Sequence, residues 1–362
     1  FFFLVGLEIK RELLAGELAS LRKATLPAFA ALGGMLCPAL VFAAFNASRA
    51  SHAGWGIPMA TDIAFAMGCM SLLGKRVPIG LSVLLIALAI VDDLGAVLVI
   101  AVFYTERIAL DSLLVGGLLI GLSYALGRLG VRATGTFVLI WIGVWLAFLQ
   151  SGVHATIAGV LVAFTIPINA RYETPLFRGR MQTLLERFDE AEDHVNPLLV
   201  NSRQQELIGA ILTECRMVEA PLQRIEHSLH PITMLFIMPL FAFANSGIHI
   251  DWPTLSTGFT EPVVLGVVLG LLLGKQAGIM FFSWVAIRLG LAELPEGVSW
   301  RHVYGMSWMA GIGFTMSLFI SQLAFPDSPE FLIQAKMGIF MASMVAGVAG
   351  YVILRRVCAR TT

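Results

Sequence analysis

Charge is scarce in this chain. Asp, Glu, Lys and Arg together make up 13% of its 362 residues, about half of what a soluble domain carries. That scarcity excludes an ordinary water-facing globular domain. An excess of positive charge is also lacking: 24 basic residues stand against 24 acidic ones, which argues against nucleic acid as a partner. Cysteine is sparse, and Cys37, Cys69, Cys215 and Cys358 show no C-x-x-C spacing, so neither a zinc site nor a disulfide framework is encoded. The chain opens Phe1-Phe2-Phe3-Leu4-Val5-Gly6 without a methionine, and no basic n-region precedes this apolar run, so it is not a signal peptide. It reads as the tail of a spanning helix whose start, with any helix before it, is missing.

What is present is apolar sequence. Hydrophobic residues make up 57% and the mean hydropathy is +0.83, the composition of an all-α polytopic membrane protein. Residues 1–362 read as one membrane domain. Apolar segments run at about 26–46, 55–73, 78–104, 112–127, 135–150, 152–168, 230–247, 262–287, 303–325 and 331–354. Spanning takes about 20 residues, so several of these have uncertain ends. With alternate connections counted as inside, thirteen Lys and Arg fall in the short inner loops and the C-terminus. Only Arg49 and Arg107 fall outside. The bias places the C-terminus and the polar stretch 169–229 in the cytoplasm. That stretch is a cytoplasmic loop insert without a core. Its one helical stripe is Leu207, Ile208, Ile211, Leu212, Cys215 and Val218, read as a short helix packed on its own protein, with a partner-binding or membrane-surface helix as the alternative.

Three aspartates interrupt the apolar text. Asp62 sits in Pro58-Met59-Ala60-Thr61-Asp62-Ile63, and Asp92 and Asp93 sit in Ile90-Val91-Asp92-Asp93-Leu94-Gly95. Each carboxylate at the centre of a bilayer costs about 2.5–3.5 kcal/mol on insertion scales, so such groups face a protein interior or a wet cavity and mark ion or proton pathways. Lys275, in Leu273-Gly274-Lys275-Gln276, is too deep to snorkel and needs a partner. Lys336, near the start of its segment, can snorkel. Asp92 and Asp93 point about 100° apart on a helix, which divides the labour: one pairs with a base, the other faces the cavity. Burial raises a carboxylate's proton affinity and a nearby ammonium lowers it. Protons and a small hard cation then compete for the same oxygens; oxygen ligands suit such a cation, and no Cys/His cluster is present for a transition metal.

The segments 26–46, 55–73 and 78–104 and the segments 262–287, 303–325 and 331–354 form two triplets of inverted topology. The middle member of each is interrupted, by Pro58, Thr61 and Asp62 in one and by Gly311, Gly313 and Thr315 in the other. Matched interruptions in two inverted halves are the best pointer to a transporter's binding site. The bland alternative is that Gly311 and Gly313 only let helices pack closely. Unwound helix ends carry partial charge, which Asp62 and Lys275 would compensate. Competition for one site exposed alternately to two sides is sufficient for antiport. Glu8, Glu12, Glu226, His227 and His230 gather at the cytoplasmic mouth, with Glu226 and His230 on one helical face. Histidine titrates in the physiological range, so the cluster reads as a pH sensor or as a solvated loop end. His154 reads as structural.

These residues resemble the bacterial sodium/proton antiporters of the NhaA type. The resemblance is carried by Leu4-Val5-Gly6-Leu7-Glu8-Ile9-Lys10-Arg11-Glu12-Leu13, Ala60-Thr61-Asp62-Ile63-Ala64-Phe65-Ala66, Ile90-Val91-Asp92-Asp93-Leu94-Gly95-Ala96, Ser151-Gly152-Val153-His154-Ala155-Thr156, Pro239-Leu240-Phe241-Ala242-Phe243-Ala244-Asn245, Leu273-Gly274-Lys275 and Gly311-Ile312-Gly313-Phe314-Thr315-Met316-Ser317. Inverted repeats are a known property of that family, so the matched interruptions and the motifs count as one observation. The resemblance implies an inverted-repeat secondary transporter of twelve helices with two interrupted helices crossing near the bilayer midplane. It implies that Asp93 and Asp92 bind sodium, lithium and protons, with Thr61 beside them, and that Lys275 pairs with Asp92. Asp62 would balance helix ends. Glu8, Glu12, Glu226, His227 and His230 match positions tied to pH activation. It further implies electrogenic exchange in the bacterial inner membrane, a homodimer and no cofactor.

Two other classes are weighed. An intramembrane aspartyl protease also uses two aspartates, but its Gly-x-Gly-Asp pattern is absent and Lys275 would be an odd companion. A proton-coupled carrier of a small organic solute is the runner-up; it calls for an aromatic-lined pocket, whereas the polar positions here are small and oxygen-bearing.

Overall fold

A computed structural model describes residues 1–47, 49–105, 108–129, 131, 134–168, 174–191, 202–247 and 260–359. Arg107, Arg132 and Arg360, which enter the loop-charge count, lie outside the described residues. Helix α1 (Phe2–Ala15) is followed by α2 (Leu21–Asn46). A 3-10 helix (Ala50–Met59) then gives way to extended residues and to the short α3 (Ile63–Ser71). Next come α4 (Ile79–Phe103), α5 (Leu110–Arg128), α6 (Thr134–Ser151) and α7 (Ala155–Thr165). The polar stretch holds α8 (Thr174–Glu190) and α9 (Ser202–Val218), which pack on each other. The remainder is α10 (Pro221–Asn245), α11 (Pro262–Arg288), α12 (Trp300–Ala310), α13 (Phe314–Ala324) and α14 (Pro329–Cys358).

Among the described residues, α2, α4, α5, α10, α11 and α14 are long and apolar enough to cross a bilayer. The pair α12 and α13, bent by 47° at Gly311–Gly313, makes a seventh. Burial separates core spans from peripheral ones: the most apolar window of α4 is 61% buried and that of α5 only 11%. A helix apolar all round and buried belongs at the centre, and α4 is the one that carries Asp92 and Asp93. Two hydrophobic clusters flank that centre. One joins α2, α3, α4, α11, α12 and α14, and the other joins α2, the 3-10 helix, α4, α11, α13 and α14. Both triplets read from the sequence therefore build one core.

The central contact of that core is α2 against α11. It depends on two glycines: a Cβ at Gly33 would lie 2.2 Å from Gly278 O, and one at Gly278 would lie 2.0 Å from Gly33 O. Small residues allow backbones to meet where lipid supplies no hydrophobic drive. Both α10 and α11 contain a π-helical turn, Thr233–Ile237 and Gly270–Gly274, and the second ends at Lys275.

Several boundaries differ from the sequence reading. Helix α10 starts at Pro221, inside the stretch 169–229, because its first turns are amphipathic and escape a hydropathy window. Segment 55–73 is a 3-10 helix, a break and α3. Segment 152–168 is an eleven-residue helix, short for a span. The α9 stripe is helical as read, while α8 carries a second stripe, Leu176, Phe177, Met181, Leu184, Leu185 and Phe188 at helical spacing, that the sequence reading passed over. Lys336 is only 9% exposed, with Nζ 3.5 Å from Gly247 O, so it stays inside the protein where snorkelling was expected.

Candidate functional site

The two breaks meet. The backbone N–H of Asp62 donates to Ile312 O at 2.7 Å, and Ser317 Oγ donates to Ile57 O at 2.7 Å. Four helix ends converge here and leave unsatisfied N–H and C=O groups with partial charges. Asp62 serves both N-termini. Its Oδ1 accepts from Phe65 N at 3.1 Å, capping α3. Its Oδ2 accepts from Thr315 N at 2.9 Å and from Thr315 Oγ1, capping α13, whose own N-cap is Gly313 and has no side chain to offer. A Cβ at Gly313 would meet Ala60 O at 3.0 Å, so the glycine lets the two chains pass.

The C-terminal ends receive donors. Lys275, fully buried, donates from Nζ to Met59 O, the last carbonyl of the 3-10 helix, and to Asp92 Oδ2 at 2.7 Å. A cation at a helix C-terminus is favourable. Thr61 Oγ1 lies 2.5 Å from Asp92 Oδ2 and 3.1 Å from Ala310 O, the end of α12. One hydroxyl proton serves one acceptor, and the shorter contact goes to the carboxylate.

Asp92 and Asp93 are 1% and 2% exposed, and Oδ1 of each has no hydrogen-bond partner among the described residues. Buried carboxylate oxygens are rarely left so. Each orphan oxygen can take a proton or a hard monovalent cation, and on Asp92 the other oxygen is the one held by the Thr61 hydroxyl.

A cavity of about 1020 Å³ opens beside this site. Ile63, Ala64 and Phe65 of α3, which follow Asp62, and Ile90 of α4 line it together with Glu8, Arg11, Glu226, His227 and His230. Arg11 forms an ion pair with the buried Glu226, whose Oε2 has no partner among the described residues. Glu12 stands apart from this group: its Oε1 accepts from Glu17 N at 3.0 Å and closes the turn after α1. His154 caps α7, with Nδ1 2.9 Å from Thr156 Oγ1.

Residues 1–354 match the family described as Na+/H+ antiporter 1. The chain belongs to that family. It is 49% identical over 356 residues to Na(+)/H(+) antiporter NhaA 1 of Saccharophagus degradans, covering 98% of this chain and 77% of that protein. It is 49% identical over 355 residues to Na(+)/H(+) antiporter NhaA of Oleidesulfovibrio alaskensis, covering 98% and 78%. With Na(+)/H(+) antiporter NhaA 2 of Syntrophotalea carbinolica the identity is 48% over 363 residues, covering 99% and 82%.

For this family member the structure brings together Thr61, Asp62, Asp92, Lys275, Gly311 and Gly313, with Asp93 on the next residue of α4. It brings Glu8, Glu226, His227 and His230 to the cavity mouth and leaves Glu12 outside. Sequence reading passed over Met59 O, Ala310 O and Ile312 O, which are backbone atoms without a side-chain signal. It also passed over Thr315 and Arg11 as partners. A signal existed for both, since Thr315 stands in the second interruption and Arg11 in the charged patch after Leu7.

Proposed function

We propose that the chain is an electrogenic, pH-regulated antiporter that exports sodium or lithium in exchange for protons, serving sodium and pH homeostasis. The pair of buried carboxylates with unpartnered oxygens, set beside Thr61 where two interrupted helices meet, carries this reading. Asp93 and Asp92 hold the cargo, with Thr61 contributing an oxygen. Lys275 neutralises Asp92 when the site holds no cation. Asp62 keeps the helix ends in place, and Gly311 and Gly313 permit the second break. Cation and proton then exclude one another at one set of oxygens, and exposure to alternate sides makes the exchange obligatory.

The relatives' names, which specify Na(+)/H(+) antiport, support the same reading. The location is the bacterial inner membrane, with the cavity mouth, the insert 169–229 and the C-terminus on the cytoplasmic side, as the loop charges favour. Glu8, Glu226, His227 and His230, with Glu12 nearby in sequence, set the pH response. Assembly as a homodimer belongs to the same proposal and rests on the family resemblance.

Everted membrane vesicles with a preformed pH gradient test it. Sodium or lithium is expected to collapse the gradient, potassium or choline to leave it, and Asp93→Asn to abolish the response. Asp92→Asn is expected to impair it strongly. A well-expressed protein that answers no cation would overturn the reading.

A further inference from the structure

Gln276 is a buried polar group that the exchange site leaves unused. It follows Lys275, is 5% exposed, and neither Oε1 nor Nε2 of its carboxamide has a hydrogen-bond partner among the described residues. An amide taken out of water without partners is costly, and each such group in a folded core calls for an explanation. Lys275 and Gln276 point about 100° apart on α11, so Gln276 does not share the contact with Asp92.

What it faces is the hinge of the second interrupted helix. The place where a Cβ at Gly311 would sit lies 2.9 Å from Gln276 Nε2, 2.9 Å from Leu271 O and 3.0 Å from Trp308 O. Leu271 belongs to the π turn of α11 and Trp308 to the last turn of α12. Trp308 Nε1, in that turn, is a further buried donor without a partner among the described residues. A donor-bearing carboxamide and a helix-end carbonyl thus crowd one point. A shift of about an ångström between α11 and α12 is enough to change which of them bond. π turns and helix ends are where such register changes are accommodated.

We propose that Gln276 is a positioning residue for transport: its carboxamide bonds the C-terminal end of α12 in a second conformation of the crossing and is released from it in the conformation described here. The role in transport rests on the antiport reading, whereas the hinge contact does not. By stabilising the second conformation, the carboxamide raises the population of the rarer state, and a cycle that must visit both states is then less limited by it. One neutral hydrogen bond changes such a balance by about three- to tenfold.

Gln276→Met tests this, because it keeps the volume and removes the donor and acceptor. Wild type and variant are purified and compared in three measurements. Amide hydrogen exchange over the hinge peptide, residues 305–317, is expected to slow by about three- to tenfold in the absence of sodium, since opening through the second conformation is lost. Thermal stability is expected to hold or rise. Sodium-driven turnover is expected to fall by about three- to tenfold, with half-saturating sodium within about twofold of wild type.

Unchanged hydrogen exchange at the hinge would overturn the proposal. So would a half-saturating sodium that rises in step with the loss of turnover, which would make the carboxamide a cargo ligand. Lower stability with unaltered kinetics would reduce Gln276 to a structural role and overturn it as well. A wild-type protein that fails to exchange sodium would sink the antiport reading, while the hinge exchange still decides the role of Gln276. Gln276→Leu replaces the methionine variant should the latter not fold.

Discussion

At the scale of single residues, Asp62 shows how a charge is kept inside an apolar core. Its two oxygens accept from the first turns of α3 and α13, where the partial positive charge of helix N-termini favours an anion. The Thr315 hydroxyl adds a third donor. A hydrogen bond to a charged group contributes about 1.5–3 kcal/mol. Thr315→Val, which keeps the shape and removes the hydroxyl, is therefore expected to destabilise the protein by about that amount, read as a lower thermal midpoint. Unaltered stability would mean that backbone amides alone hold the carboxylate. The charged members of the site were legible in the sequence because a carboxylate or an ammonium inside an apolar run has no neutral explanation. Their partners were not. Met59 O, Ala310 O and Ile312 O belong to residues whose identity says nothing of where their carbonyls point, and Gln276 was overshadowed by the lysine before it.

At the scale of elements, the close contact of α2 with α11 holds the lysine in place. Gly278 lies one helical turn beyond Lys275 on the same face, and a Cβ at Gly34 would lie 3.7 Å from Lys275 Cε. Gly278→Ala would put a methyl group 2.0 Å from Gly33 O, so the helices must separate. Overpacking of this kind costs about 1–3 kcal/mol, and the displaced Lys275 should also lose its contact with Asp92. Both thermal stability and cation exchange are expected to fall. Gly117→Ala is the control: it lies within α5 with nothing within 4 Å of the added carbon, and is expected to be neutral or to stabilise by up to about 1 kcal/mol. A Gly278→Ala protein matching this control in both measurements would disprove the tight-contact account. Elements were legible where hydrophobicity is continuous, as in α4 and α14. The start of α10, the whole of α8 and both π turns were not, because an amphipathic helix lacks the apolar run and a π turn alters register without altering composition.

At the scale of the whole molecule, the cavity ties a charged mouth to the crossing of the breaks. Arg11 of α1 and Glu226 of α10 are 215 residues apart in the chain and form one ion pair there, with Glu8, His227 and His230 lining the same opening. The Arg11 guanidinium favours the charged form of Glu8 at this opening, so its removal makes protonation of Glu8 easier. A pH profile governed by this mouth must then move to higher pH, whether protonation turns transport on or off, because the same degree of deprotonation requires fewer protons in solution. Arg11→Gln tests this in vesicles by measuring sodium-dependent exchange across a range of pH. The midpoint is expected to rise by about half to one unit, the size of a modest charge interaction at a half-exposed site, with maximal exchange retained because the Asp92–Lys275 pair is untouched. A midpoint that stays in place, with the protein folded and active, would separate the mouth from pH control and leave the Arg11–Glu226 pair as a bolt between α1 and α10.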